Sequence, residues 1–147
     1  MKLTLQQITE GQEEIIVRYF ERNEEVDNLI RRIEQKNDKI LAVVEDKKIS
    51  ILPMDVLYLE SVDNIVYVYT KNKVGRTGLT LALAESLYET EGFFRCSKSM
   101  VINLYHMEYL KSIPGNRVDV TMDNGEHVVI SRRYVKALRS ILKGEGR

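Results

Sequence analysis

The sequence predicts a mainly β fold with short helices, preceded by a small α+β unit. Three observations carry this. From Asp46 onward, short apolar runs recur at roughly ten-residue spacing with polar turns between them, the pattern of successive strands. Asp123-Asn124-Gly125 separates two alternating runs, and Asn-Gly is the strongest short hairpin signal. Before Asp46 the period changes once, to that of a helix.

In chain order, residues 2–6 alternate with period two and predict a short strand, and β-branched residues 14–19 predict another after Gly11. Val26, Leu29, Ile30 and Ile33 then fall on one face of a helix. Asn23 is its expected cap, with Glu24 and Glu25 in the first turn and Arg31, Arg32 and Lys36 near its end, complementing the helix dipole. Asn37-Asp38 ends it, and residues 40–44 follow as a strand. Residues 1–45 therefore form the expected N-terminal strand–helix–strand unit, and 46–147 the β domain.

In the β domain, residues 48–52, 56–60 and 65–70 predict strands, with Pro53 and Ser61-Val62-Asp63-Asn64 between them. Thr80 caps a short helix expected to turn Leu83, Leu87 and Tyr88 inward, and Glu91-Gly92 stops it. Phe93-Phe94-Arg95-Cys96-Ser97-Lys98-Ser99-Met100-Val101-Ile102-Asn103 reads as two strands joined by a tight polar loop that holds Arg95 and Lys98 forward. Residues 107–113 predict a strand closed by Pro114-Gly115-Asn116, and 117–122 pairs with 126–130. Ser131 caps a last helix with Val135, Leu138 and Leu142 inward. Arg132 and Arg133 sit in its first turn, where cations oppose the helix dipole, so another partner is expected for them.

The 147 residues are 44% hydrophobic and 30% charged, enough to bury one core. No apolar run approaches a membrane span and no signal-peptide block opens the chain, so a cytoplasmic location is expected. One cysteine excludes an internal disulfide framework. Net charge is zero, yet residues 95–147 carry +5 and residues 1–94 carry −5, which places any anion-binding face in the C-terminal third.

Neither a phosphate-binding Gly loop, a His/Cys metal spacing nor a nucleophile–base pair is visible, so no enzyme activity, cofactor or metal is expected. Cys96 beside Arg95 and near Lys98 could be an activated thiol or a small half-buried residue at a strand end. Arg95, Lys98, Arg132 and Arg133 form the best constellation, with Ser97, Ser99 and Ser131 as short donors suited to phosphate. These residues alone leave DNA binding and ordinary surface charge both open.

Three motifs in order carry a resemblance. Residues 55–64 look like the opening strand and first loop of the LytTR DNA-binding domain. Residues 93–103 resemble that family's signature F-x-R-x-x-[KRN]-S-x-[IV]-[VI]-N, and Asn124-Gly125-Glu126 with Ile130-Ser131-Arg132-Arg133-Tyr134 resembles its closing hairpin and helix. The resemblance implies an elongated antiparallel β core with little helix. It also implies duplex DNA binding through loops in successive major grooves, with DNA bending, at paired repeats bound by a homodimer, and bacterial transcription regulation. The implied DNA-facing residues are Asp63 and Asn64; Ser97, Lys98 and Ser99; and Arg132 and Arg133, and the constellation above adds Arg95 and Ser131, with Arg95, Arg132 and the serines expected to hold phosphates. About 45 residues precede the β domain without a phosphoacceptor pocket, so the chain is similar to stand-alone members, which often occur beside a small membrane protein, an implied partner.

The expected function is thus a sequence-specific duplex DNA-binding transcriptional regulator without enzymatic activity. The alternatives are a protein-interaction or anti-regulator module docking on a membrane partner, and a thiol sensor at Cys96.

Overall fold

The computed structural model describes residues 1–34 and 39–144. The chain forms two compact units, Met1–Gln35 and Lys36–Arg147.

In the first unit, α1 (Glu24–Ile33) is the only regular element among the described residues. Asn23 caps it, its Oδ1 accepting from the Val26 N–H at 2.9 Å. Glu24, Glu25 and Asp27 occupy the first turn, and Arg22 pairs with Asp27. The strands predicted at 2–6 and 14–19 do not form. An alternating segment becomes a strand only when a neighbour takes its backbone groups, and neither segment has a ladder partner. Lys36, Asn37 and Asp38 lie outside the described residues.

The second unit contains two antiparallel sheets. The larger is built from β1 (Ile40–Val44), β2 (Lys47–Ile51), β3 (Tyr58–Val62), β4 (Ile65–Tyr69), β5 (Val74–Thr77), β6 (Phe93–Ser97) and β7 (Met100–Asn103), in the order β2-β1-β5-β4-β3-β7-β6. The smaller is a meander of β8 (Met107–Ile113), β9 (Arg117–Met122) and β10 (His127–Ile130). Helix α2 (Leu81–Leu87) precedes β6, and α3 (Arg132–Leu142) follows β10. The mainly β, antiparallel expectation is borne out.

The strand at 40–44 was expected in the N-terminal unit, but it pairs with β2 and β5 inside the large sheet. Strand β5 was not expected at all. Its Val-Gly-Arg-Thr sequence breaks the apolar pattern because a neighbour presses on it: a Cβ on Gly75 would sit 2.9 Å from Val44 Cγ2 and 3.0 Å from Ala42 Cβ.

Both faces of the central strands are covered, which is why their sequences are nearly continuous apolar runs. Leu59, Phe93 and Val101 join Leu81, Ala84 and Tyr88 of the α2 segment on one face. Tyr58, Phe94, Cys96 and Ile102 join Val118, Val120, Ile130, Val135 and Leu138 on the other. Burying one Val- to Phe-sized side chain contributes about 1.5–3 kcal/mol, so these two clusters dominate the stability. α2 corrects the predicted helix face: Tyr88 is buried as expected, but Leu83 and Leu87 are exposed and Leu81 and Ala84 are the inward residues. In α3, Val135 and Leu138 are buried while Leu142 is 48% exposed. Among the described residues no helix is long and apolar enough to cross a membrane.

One buried polar side chain fastens the loops beneath the sheet. Asn103 Nδ2 donates to the carbonyls of Val56 (2.9 Å) and Pro53 (3.4 Å), and its Oδ1 accepts from the Tyr105 N–H at 3.0 Å. Gly92, at φ +94°, leaves room for this knot, since a Cβ there would meet Asn103 Oδ1 at 2.7 Å and the Tyr105 ring at 2.6 Å.

Candidate nucleic-acid interface

The three predicted segments are neighbours in space, and backbone hydrogen bonds link them. Asp63 and Asn64 form the two-residue turn between β3 and β4, closed by the Val62–Ile65 pair. Both have positive φ, 52° and 64°, as a type I′ turn requires, and Asp and Asn tolerate that region better than most residues. Behind this tip the Ser61 N–H donates to the Ser99 carbonyl at 2.8 Å, tying the first loop to the second.

The second loop is the Lys98-Ser99 turn between Ser97 and Met100, just after an irregularity between Arg95 and Ser97. Lys98 and Ser99 are exposed, Arg95 and Ser97 half-buried. Arg95 does not hold its guanidinium out toward solvent partners. Its Nε donates to the Ser97 carbonyl at 2.7 Å and its Nη2 to the Lys98 carbonyl at 2.6 Å. The Arg95 N–H donates to Glu85 Oε2 of α2 at 2.8 Å. Ser97 Oγ accepts from the Ser99 N–H at 3.2 Å, bracing the same turn. Arg95 is thus built into the loop that presents Lys98.

The third segment is the start of α3. The Ser131 N–H donates to the Cys96 carbonyl at 2.9 Å, which fixes the helix start against the end of β6. Ser131 occupies the N-cap position, but its hydroxyl makes no cap hydrogen bond, contrary to the predicted capping. Arg132 and Arg133 are exposed in the first turn, with the Arg133 guanidinium 5.7 Å from the Tyr134 ring centre. An open groove is lined by Asn64, Arg95 and Lys98 together with Ser61, Thr77 and Thr80. A second, between α2 and α3, is lined by Glu85, Arg95, Arg133 and Lys136. Arg95 borders both, so the cations from the second and third segments edge one continuous stretch of surface.

Sequence reading missed Glu85, which holds the Arg95 backbone from ten residues away; a helical glutamate carries no signal of such a role. Lys136 and Arg139 extend the basic face of α3, Arg139 through a bond to Ser112 Oγ at 3.1 Å.

Cys96 is fully buried, its Sγ donating to the Met100 carbonyl at 3.5 Å. Burial pushes its thiol up to about 12, overriding the opposing effect of Arg95. A protonated, enclosed thiol is a poor nucleophile, so the packing reading of Cys96 stands over the activated one. Each histidine sits on an aspartate: His106 Nδ1 on Asp123 at 2.8 Å and His127 Nδ1 on Asp119 at 2.9 Å. Among the described residues no cluster of His, Cys, Asp and Glu could hold a metal.

Comparison with known proteins adds four matches. Residues 46–143 match the model of the LytTr DNA-binding domain. The chain is 30% identical over 106 residues to the transcriptional regulatory protein BtsR of Escherichia coli K12, covering 71% of this chain and 43% of that protein. It is 26% identical over 105 residues to the sensory transduction protein LytT of Bacillus cereus, again covering 71% and 43%. The chain thus spans less than half the length of these two relatives. A solved LytTr DNA-binding domain from Bacillus cereus superposes with a TM-score of 0.67 at 28% identity, covering 71% of this chain and 95% of that one.

Proposed function

This chain belongs to the LytTr DNA-binding domain family, and from that premise we propose that it is a sequence-specific, duplex DNA-binding regulator of bacterial transcription. The observation that carries the reading is the backbone linkage of three exposed polar segments, Ser61 to Ser99 and Cys96 to Ser131. It gives a rigid base from which side chains on separate loops can follow a groove at fixed spacing.

Within this proposal Lys98, Arg133 and Asn64 face the bases or lie beside them. Ser97, Ser99, Ser131 and Arg132 take phosphates, and Asp63 shapes the first tip. Within this proposal Arg95 has a different part from the phosphate contact expected of it: two of its five N–H donors are spent on the carbonyls of the Lys98 loop, so it sets that loop's form. Such a footprint is small, and two copies on paired repeats supply the rest. The N-terminal unit, with Leu3, Leu5, Ile15 and Ile16 exposed, is assigned to contact between copies or with a small membrane-protein partner.

The test is a gel-shift titration against sequences selected from a random duplex pool. Arg133→Ala and Lys98→Ala should each cost about 1–3 kcal/mol and relax preference at one position if they read bases. Unchanged affinity and unchanged base preference in both variants would remove the assignment. No binding to duplex DNA even at low salt would favour the interaction-module alternative.

A further inference from the structure

Residues 14–20, Glu-Ile-Ile-Val-Arg-Tyr-Phe, carry strand-forming sequence but no ladder, and their apolar side chains are exposed except for the half-buried Val17. Ile15 is 73% exposed, Ile16 68% and Tyr19 50%, and Phe20 is fully exposed. A contiguous apolar run of this kind marks an interaction surface. The question is what covers it, and the sequence of the segment itself answers.

Two antiparallel copies related by a two-fold axis normal to the ladder keep each residue on the same face. Opposed residues must then lie an even number of positions apart, because side chains alternate. With Ile16 on the axis, Ile15 faces Val17 of the second copy, and Glu14 faces Arg18, twice over. Moving the axis to Val17 sets Arg18 against Ile16 and Glu14 against Phe20. Moving it to Ile15 sets Glu14 against Ile16 and Glu13 against Val17, and further shifts to Glu14 or Arg18 oppose like charges. Among these registers the one on Ile16 sets Glu14 against Arg18 and opposes no like charges across residues 13–19, leaving Glu13 against Tyr19, while Ile15, Val17 and Tyr19 line one face.

We propose that residues 14–18 form a two-fold, antiparallel strand pair with a second copy of this chain, centred on Ile16. The proposal deepens the paired-copy reading above. It explains why a segment with strand sequence is left without a ladder: its partner strand is supplied by another molecule.

The experiment uses the full chain, free of DNA. Sedimentation equilibrium should show a dimer whose dissociation constant rises about tenfold on either Glu14→Arg or Arg18→Glu, since each swap turns two attractive cross-strand pairs into two repulsive ones. The double variant E14R/R18E should return to the wild-type constant, a rescue that mere misfolding does not give. In a Cys96→Ala background, Ile16→Cys should form an intermolecular disulfide under mild oxidation, while Glu13→Cys should not. A monomer at all concentrations, a double variant no better than the singles, or equal cross-linking at both positions would overturn it. Binding to a single half-site, measured in parallel, separates the two claims: the charge swaps lie outside residues 46–143, so half-site affinity should hold. Loss of half-site binding in the wild-type chain would instead count against the DNA-binding reading.

Discussion

Replacing Arg95 distinguishes a brace from a DNA contact. Its guanidinium makes two charge-assisted bonds to the carbonyls of Ser97 and Lys98, at 2.7 and 2.6 Å. Such bonds contribute about 1.5–3 kcal/mol each at best, and half-exposure at the rim brings the pair to about 2 kcal/mol in total. Arg95→Ala then frees the Lys98 turn, lowers the population of its binding-ready form by about thirtyfold, and weakens DNA binding by up to the same factor. The slope of log affinity against log salt should stay unchanged, because no phosphate partner has been lost. Arg132→Ala, the comparison, should reduce that slope by about one unit. Arg95→Lys keeps the charge but not the fork that spans two carbonyls, so it should bind nearly as weakly as the alanine variant. Fluorescence anisotropy with a labelled duplex across a salt series reads all three. A lysine variant that binds like wild type, or a reduced slope in Arg95→Ala, would refute the bracing role.

Two further outcomes follow from the core. The Cys96 thiol is raised from 9.0 to about 12 by burial, so the folded chain keeps a proton that the unfolded chain releases above about pH 9. Stability should therefore fall as pH rises between those values, and a maleimide should label the folded protein near pH 8 only at the rate of unfolding; denaturant melts and timed labelling check this, with Cys96→Ala removing the thiol's share. Tyr58, buried, and Tyr69, half-buried, stack with ring centres 4.6 Å apart, and their phenols, both raised first by burial, add to the alkaline loss in the same direction. Asn103→Leu should cost about 2–4 kcal/mol, since it strands the Val56 carbonyl and the Tyr105 N–H where Asn103 met both; a thermal midpoint within a degree or two of wild type would contradict the role given to that knot.

Much of the fold was legible because its strands announce themselves through apolar runs and turn residues. Phe93-Phe94 is the clearest case: adjacent aromatics enter opposite clusters, as a strand covered on both faces dictates. The misses have physical causes. β5 hides because its glycine is required by a crowding neighbour, and strand signals count side chains. The N-terminal alternation promised strands, but a ladder needs a partner that local sequence does not reveal. In α2, Leu83 and Leu87 were read as inward because leucine usually is, whereas Leu81, Ala84 and Tyr88 share the face that meets the sheet. For the candidate site, the positions of the exposed cations were legible from their place between apolar runs. The occupation of Arg95 by its own loop was not, since an arginine two and three residues from carbonyls looks the same whether it folds back or reaches out.

The β3–β4 tip bears on how such a protein could change its target over evolutionary time. Asp63 and Asn64 both hold positive φ, so inheritance at those two positions is confined to the few residues that tolerate that backbone. Lys98 and Ser99 are not among the positive-φ residues, and nearly any side chain can be accepted there without strain. If both loops read DNA, a lineage acquiring a new operator should record the change mainly at position 98, while the tip drifts only among Asn, Asp and Gly.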